Sequence, residues 1–199
     1  MNCRKMILVL VAVMVVGLSA SVTKAAPCGL VAGNLVVNCG FETGNLTGWS
    51  NTGNTGFSSV SASGAATGSF GWFTGPVGSL GFLSQNIATV AGQTYTITFS
   101  LRADAGTPNN FAVTFGGVAG PSFTNTAAFP FTVFTFNAVA TGAVTQLQFA
   151  FRHDPAFWSL DDVSVVPAGA AVPEPATMLL LGSGLAGLAG LRRRRNKKL

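Results

Sequence analysis

The sequence predicts an all-β protein: a jelly-roll-like β-sandwich of about eight or nine strands, flanked by an N-terminal signal peptide and a C-terminal single membrane helix. Three observations predict it. Apolar and polar residues alternate in the central region at the period of a half-buried strand. Clusters of Gly, Asn and Pro such as TGNTG, DAGTPNN and FGGVAGP separate those runs at sandwich spacing. The unbroken apolar runs lie only at the two ends, each beside basic residues.

At the start, Arg4 and Lys5 precede an apolar run from Met6 to Leu18, then small residues and TKAAP. This is the pattern of a secretory signal peptide over residues 1–26, cut after Ala25 or Ala26. Its apolar core is too short to span a bilayer, which takes about 20 residues.

A single domain over 27–166 follows, long enough to bury a sizeable core. In QTYTITFSL, Tyr95, Ile97, Phe99 and Leu101 share one face with threonines opposite. FAVTF repeats the pattern with Phe111, Val113 and Phe115, and TQLQFAF with Leu147, Phe149 and Phe151. FPFTVFTFNA is a further strand, with Pro130 near its start where proline is tolerated, and WSLDDVSVV is the last. No helical stripe or internal repeat is evident.

After a linker over 167–172, residues 173–199 read PEPATMLLLGSGLAGLAGLRRRRNKKL. The two prolines hold an extended segment. The apolar stretch 176–191 can enter a bilayer as a helix, with the arginines on the cytoplasmic side. In order and spacing, this tail resembles the PEP-CTERM sorting signal of Gram-negative bacteria. The resemblance implies recognition through Pro173, Glu174 and Pro175, with Arg192, Arg193, Arg194 and Arg195 as the basic cluster. It further implies processing by an exosortase, transient anchoring in the membrane and a host that makes exopolysaccharide and biofilm. The same tail sometimes carries an ice-binding protein C-terminal label, which describes the tail and is no evidence of ice binding.

Composition fits export. Of 199 residues 48% are apolar and 9% charged, whereas ordinary domains carry about 25% charge. The formal charge of +5 resides in the tails. Between them only Arg102 and Arg152 are basic, so the domain is mildly acidic and lacks the electrostatic footprint of a nucleic-acid partner.

The opening NLVVNCGFETGNLTGWS and the ending FWSLDDVSVV resemble the two ends of carbohydrate-binding-module-like, galactose-binding-type jelly rolls. Asn38, Gly40, Phe41, Glu42, Gly48 and Trp49 carry the likeness at one end. Leu160, Asp161, Asp162, Val163 and Val165 carry it at the other. The resemblance implies a structural calcium held by Glu42 and the Asp161–Asp162 pair, hard oxygen ligands of the kind calcium takes. The alternative is that these carboxylates accept hydrogen bonds from turn amides. By strand alternation the two adjacent aspartates point to opposite faces.

Cys39 departs from the family pattern, and Cys28 is its one partner once Cys3 leaves with the signal peptide. In a compartment that permits disulfides the two are expected to bridge, contributing up to about 3 kcal/mol. Sugar binding calls for aromatic platforms with polar neighbours. The candidates are Trp72, Phe73 and Trp158, with Asp154 or Arg152 reading hydroxyls. FGWFTG reads as a Gly-rich loop in which at least one of Trp72 and Phe73 is exposed. The single histidine, His153, comes with no nucleophile elbow, so no catalytic residue is assigned.

These readings converge on a non-enzymatic exported protein with a structural or adhesive role in the extracellular polysaccharide layer, at the cell surface or in the matrix. A module for a specific glycan is the alternative. A surface hydrolase is the remote one.

Overall fold

The computed structural model describes residues 27–169. The expected signal peptide, the Pro-Glu-Pro motif, the expected membrane helix over 176–191 and the arginine cluster lie outside those residues.

Among the described residues ten strands occur, β1 (Ser50–Gly53), β2 (Ser58–Ser61), β3 (Gly71–Thr74), β4 (Gly81–Ala88), β5 (Thr94–Ala103), β6 (Asn109–Phe115), β7 (Val118–Thr124), β8 (Phe129–Val139), β9 (Val144–His153) and β10 (Trp158–Pro167). Single 3₁₀ turns cover Cys28–Leu30 and Ala62–Gly64. The strands form two five-stranded antiparallel sheets. Sheet A has the order β1-β4-β9-β6-β7 and sheet B the order β2-β3-β10-β5-β8.

The alternation that predicted the strands also builds the core. Tyr95, Ile97, Phe99 and Leu101 of β5 face inward from sheet B, opposite Phe111, Val113 and Phe115 of β6 and Leu147, Phe149 and Phe151 of β9 in sheet A. Phe99 bridges the two layers, its ring 5.3 Å from Phe149 and 5.7 Å from Phe111. Each such side chain contributes about 1.5–3 kcal/mol by leaving water.

Three segments differ from the sequence reading. FGWFTG is not a loop but contains β3, which Gly71 permits: a Cβ there would collide with the backbone of Gly64 in the 3₁₀ turn lying over it. FGGVAGP is not merely a turn. Gly116 and Gly117, at φ +57° and +83°, reverse the chain within two residues, and β7 starts at Val118. The opening 27–49, which resembles the start of such jelly rolls, contains no strand, and its Trp49 is buried in the core.

That opening segment completes sheet B instead. β3 pairs with β10 only over Trp158–Leu160, and beyond a bulge at Asp161–Ser164 the lead takes its place. The Leu35 N–H donates to Val165 O and the Val163 N–H to Cys39 O. Asn34 acts as a backbone surrogate, accepting from the Val165 and Val36 amides and donating to Val163 O. Cys28 and Cys39 form the expected disulfide, which closes this lead into a loop.

Candidate functional site

Two polar constellations stand out, one where the N-terminal lead meets β10 and one at the end of sheet A.

The first gathers the three acids of the expected calcium set. Asp161 is fully buried, and its Oδ2 accepts the amides of Ala66 and Thr67 while Oδ1 accepts the amide of Asp162. Asp162 Oδ1 accepts the Cys28 amide and the Thr67 hydroxyl. Glu42 accepts the amides of Ser69 and Phe70. All three carboxylates therefore grip the 62–70 loop or the lead. Gly68, at φ +64°, is needed there because a Cβ would run into the Glu42 carboxylate.

The adjacent aspartates do not point to opposite faces. Asp162 sits in the bulge at φ +50°, which breaks the alternation and lets both acids reach Thr67. Burial is the main cause that pushes the Asp161 carboxyl up to about 7; the Asp162 charge adds to it, against the amides of Thr67, Ala66 and Asp162, which pull it down. Calcium takes six to eight oxygens around one point. Here the carboxylates are directed at separate amides, and no group of three or more His, Cys, Asp or Glu among the described residues converges as a metal set. As arranged, the residues form an acid-to-amide clasp.

The second constellation is a cleft of about 400 Å³ lined by Leu80, Pro108, Asn109, Asn110, Thr124, Asn125 and Arg152, within the usual size range of ligand sites, about 300–1,000 Å³. Its floor is one row of sheet A. Arg152 on β9 is opposite Asn110 on β6, which is opposite Thr124 on β7. Strands lie about 4.8 Å apart, so the row spans about 10 Å. Leu80 and Pro108 supply apolar walls.

The polar groups are pre-set. Asp154 Oδ2 accepts from Arg152 Nε at 3.0 Å and from Nη2, while Oδ1 accepts the Gly78 amide. The Arg152 hydrogen bond is the main reason the Asp154 carboxyl lies below the usual carboxylate range. Asn110 donates to Thr124 Oγ1, and Asn125 Oδ1 accepts the Asn109 amide. The row thus sets a guanidinium, a carboxamide and a hydroxyl side by side, side chains able to hydrogen-bond hydroxyl groups.

The aromatic candidates are elsewhere. Trp72 and Trp158 are core residues, 2% and 0% exposed, which corrects their reading as platforms. Trp72 points inward from β3 opposite Leu160. Trp158 packs on Phe111 and His153 and donates Nε1–H to Arg152 O, bracing the cleft floor from beneath. Phe73 turns the other way, as the strand period requires, and stacks on Phe157 at 4.2 Å on the outer side of sheet B, apart from the cleft. Of the expected set Arg152 lines the cleft and Asp154 orients it. Arg152 was visible as one of two basic residues in the domain. Asn110, Thr124 and Leu80 had no sequence signal, because only the strand register assembles them.

Among curated proteins no match to the chain is found. Several solved structures are similar. TmCBM61, seen in complex with β-1,4-galactotriose, is 17% identical with a TM-score of 0.55, over 67% of this chain and 98% of that one. The C-terminal family 22 carbohydrate binding module of Clostridium thermocellum Xyn10B is 15% identical with a TM-score of 0.54, over 71% and 99%. A xylan-binding domain from CBM 22 is 14% identical with a TM-score of 0.51, over 71% and 100%. At such identities the likeness shows the jelly-roll sandwich fold alone. Residues 171–195 match the PEP-CTERM protein-sorting motif. Residues 33–163, well over half of the chain, match the carbohydrate binding domain, and by that span the chain belongs to the carbohydrate binding domain family.

Proposed function

We propose that this chain is an exported, non-enzymatic glycan-binding protein of the extracellular polysaccharide layer, with the Arg152 cleft as its sugar contact. The observation that carries this reading is the Arg152–Asn110–Thr124 row, a preset array of donors and acceptors between apolar walls. Family membership supports carbohydrate as the ligand class, and the galactotriose and xylan named for similar structures support a polysaccharide. His153 supports the absence of catalysis: it is fully buried, with Nε2 against Asp104 O and Nδ1 accepting the Ala156 amide, so neither nitrogen faces solvent.

The sorting motif supports delivery by an exosortase that reads Pro173, Glu174 and Pro175, with the 176–191 helix and Arg192–Arg195 holding the chain in the inner membrane until release. A purely structural matrix role is the second reading, and the burial of Trp72 and Trp158, which leaves no exposed indole in the described domain, favours it.

Glycan-array binding of the full-length protein in mild detergent tests the first reading. Arg152→Ala is expected to weaken the best glycan about tenfold, as loss of a charged hydrogen bond does. Unchanged affinity removes the cleft from the site, and no binding at all leaves the structural role. Comparing the protein's mass and location in host strains with and without the exosortase tests the delivery step; an intact tail in both defeats it.

A further inference from the structure

We propose that, while the tail anchors the chain, the end of the sandwich that carries Val90, Val118, Val139 and Val144 docks on the lipid bilayer, so that the Arg152 cleft faces away from the membrane. This rests on the reading of the tail as a membrane anchor and adds a lipid-contacting surface on the folded domain. Three connections meet at that end: 89–93 between β4 and β5, 116–117 between β6 and β7, and 140–143 between β8 and β9. The Thr89 amide donates to Ala143 O and the Thr89 hydroxyl to Gly142 O. The Gly92 amide donates to Ala140 O and the Gly116 amide to Gln146 O, so the three connections form one surface.

What that surface presents is apolar and uncharged. Val90 is 65% exposed and Val144 63%, with Val139 at 46% and Val118 at 39%. None of residues 89–93, 116–118 or 139–145 is charged. No ion must therefore be stripped of water against lipid, and no carboxylate meets anionic headgroups. Single exposed valines are ordinary, but four at one end, interspersed with Gln93 and Thr141, have the mixed apolar and neutral polar character of a surface that rests in the headgroup region.

The occupant follows from where the chain leaves the domain. β10 ends at Pro167, opposite Tyr95, and the Ala168 amide donates to Thr94 O, so the chain departs beside the 89–93 turn. Only residues 170–175 separate Gly169 from the apolar stretch that starts at Ala176. Fully extended, a segment of that length reaches about 20 Å. β10 starts at the opposite end, where Trp158 donates to Arg152 O beneath the cleft, and its 10 residues span about 30 Å. With the cleft end on the bilayer, Gly169 would lie about 30 Å from it, beyond the reach of the tether. The tether therefore holds the valine end at the membrane and leaves the cleft open on the far side.

The test uses the full-length protein with Cys3→Ser, reconstituted at no more than one chain per vesicle in vesicles of phosphatidylcholine and phosphatidylglycerol. An environment-sensitive fluorophore on Val144→Cys is expected to be quenched by nitroxide-labelled lipid roughly threefold more than one on Val77→Cys, because docked side chains enter the headgroup boundary. Val77 is 51% exposed but lies in the 75–80 connection at the cleft end. Adding Val90→Asp and Val139→Asp is expected to remove the excess while the melting temperature holds and the chain still floats with the vesicles; a tether without docking would leave the excess in place. Flotation separates this proposal from the reading it rests on. A chain that does not float defeats the anchor and the docking surface together. A chain that floats with equal quenching at the two positions, or whose excess survives the aspartates, overturns the docking surface alone. An excess that arises only at several chains per vesicle also overturns it, since a second copy then covers the valines.

Discussion

Asp154 holds the guanidinium of Arg152 through one carboxylate oxygen and the Gly78 amide through the other, so one side chain fixes both the cleft's cation and the loop beside it. Because the Arg152 hydrogen bond lowers the Asp154 pKa, the carboxylate stays charged through the weakly acidic range. The sign is that of a depressed acid: the pairing is intact above the ordinary carboxylate pKa and fails as pH falls through the lowered one. Glycan affinity is therefore expected to be flat from pH 8 to pH 5, and Asp154→Asn to weaken it without abolishing it. A steep loss between pH 7 and 5 in binding isotherms would contradict this.

Asp161 has the opposite sign. Its folded pKa, raised to about 7, exceeds the unfolded value, so the native state holds the proton more tightly. The associated stability is complete below about pH 4 and is lost as pH rises through 7. At the steepest, the unfolding constant should rise by up to tenfold per pH unit. Asp161→Asn should flatten that slope in denaturant titrations between pH 4 and 8. An unchanged slope would assign the dependence to another group.

The clasp around Glu42 predicts an outcome for metal. Its carboxylate serves the Ser69 and Phe70 amides, so Glu42→Ala should cost about 0.5–1.5 kcal/mol, since water can reach these exposed amides. Calcium or a chelator should leave the melting temperature within about a degree, since an ion stabilises only in proportion to its binding. A rise of several degrees with calcium would show that the ion displaces the amides.

Replacing both cysteines by serine frees the lead that stands in for a strand beside β10. Loss of a loop of this size should cost up to about 3 kcal/mol. Proteolysis should then begin between residues 28 and 39 rather than in the sandwich; mass spectrometry of the first fragments checks this.

Trp72 is a packing residue, so Trp72→Ala should cost about 3–5 kcal/mol. Trp72→Phe should cost much less, because the buried Nε1–H has no acceptor to lose. Glycan affinity of the folded Trp72→Phe protein should match the parent; a tenfold drop would restore Trp72 to the site.

The alternating strands were legible because period 2 is written into the chain: β5, β6, β8 and β9 lie where apolar residues alternate with Thr, Gln, Ala or Asn, and β10 was legible as a Val-rich run. The disulfide was legible by elimination, and the two ends of the domain by their motif residues. β1, β2, β3 and β7 were not, since they are short or interrupted and owe their pairing to neighbours and to glycines that admit close approach.

By itself the sequence determined the all-β class, the acidic character of the domain, the Cys28–Cys39 bridge and the likeness of the tail to a sorting signal, because these depend on composition, period and local order. The tertiary structure decided which side of each strand is inside and which residues meet. It buried Trp72 and Trp158, turned Asp161 and Asp162 to the same loop through one bulge, and set Arg152 beside Asn110 and Thr124. Such pairings depend on register between strands distant in the chain, and register is fixed only when both sheets close on a common core.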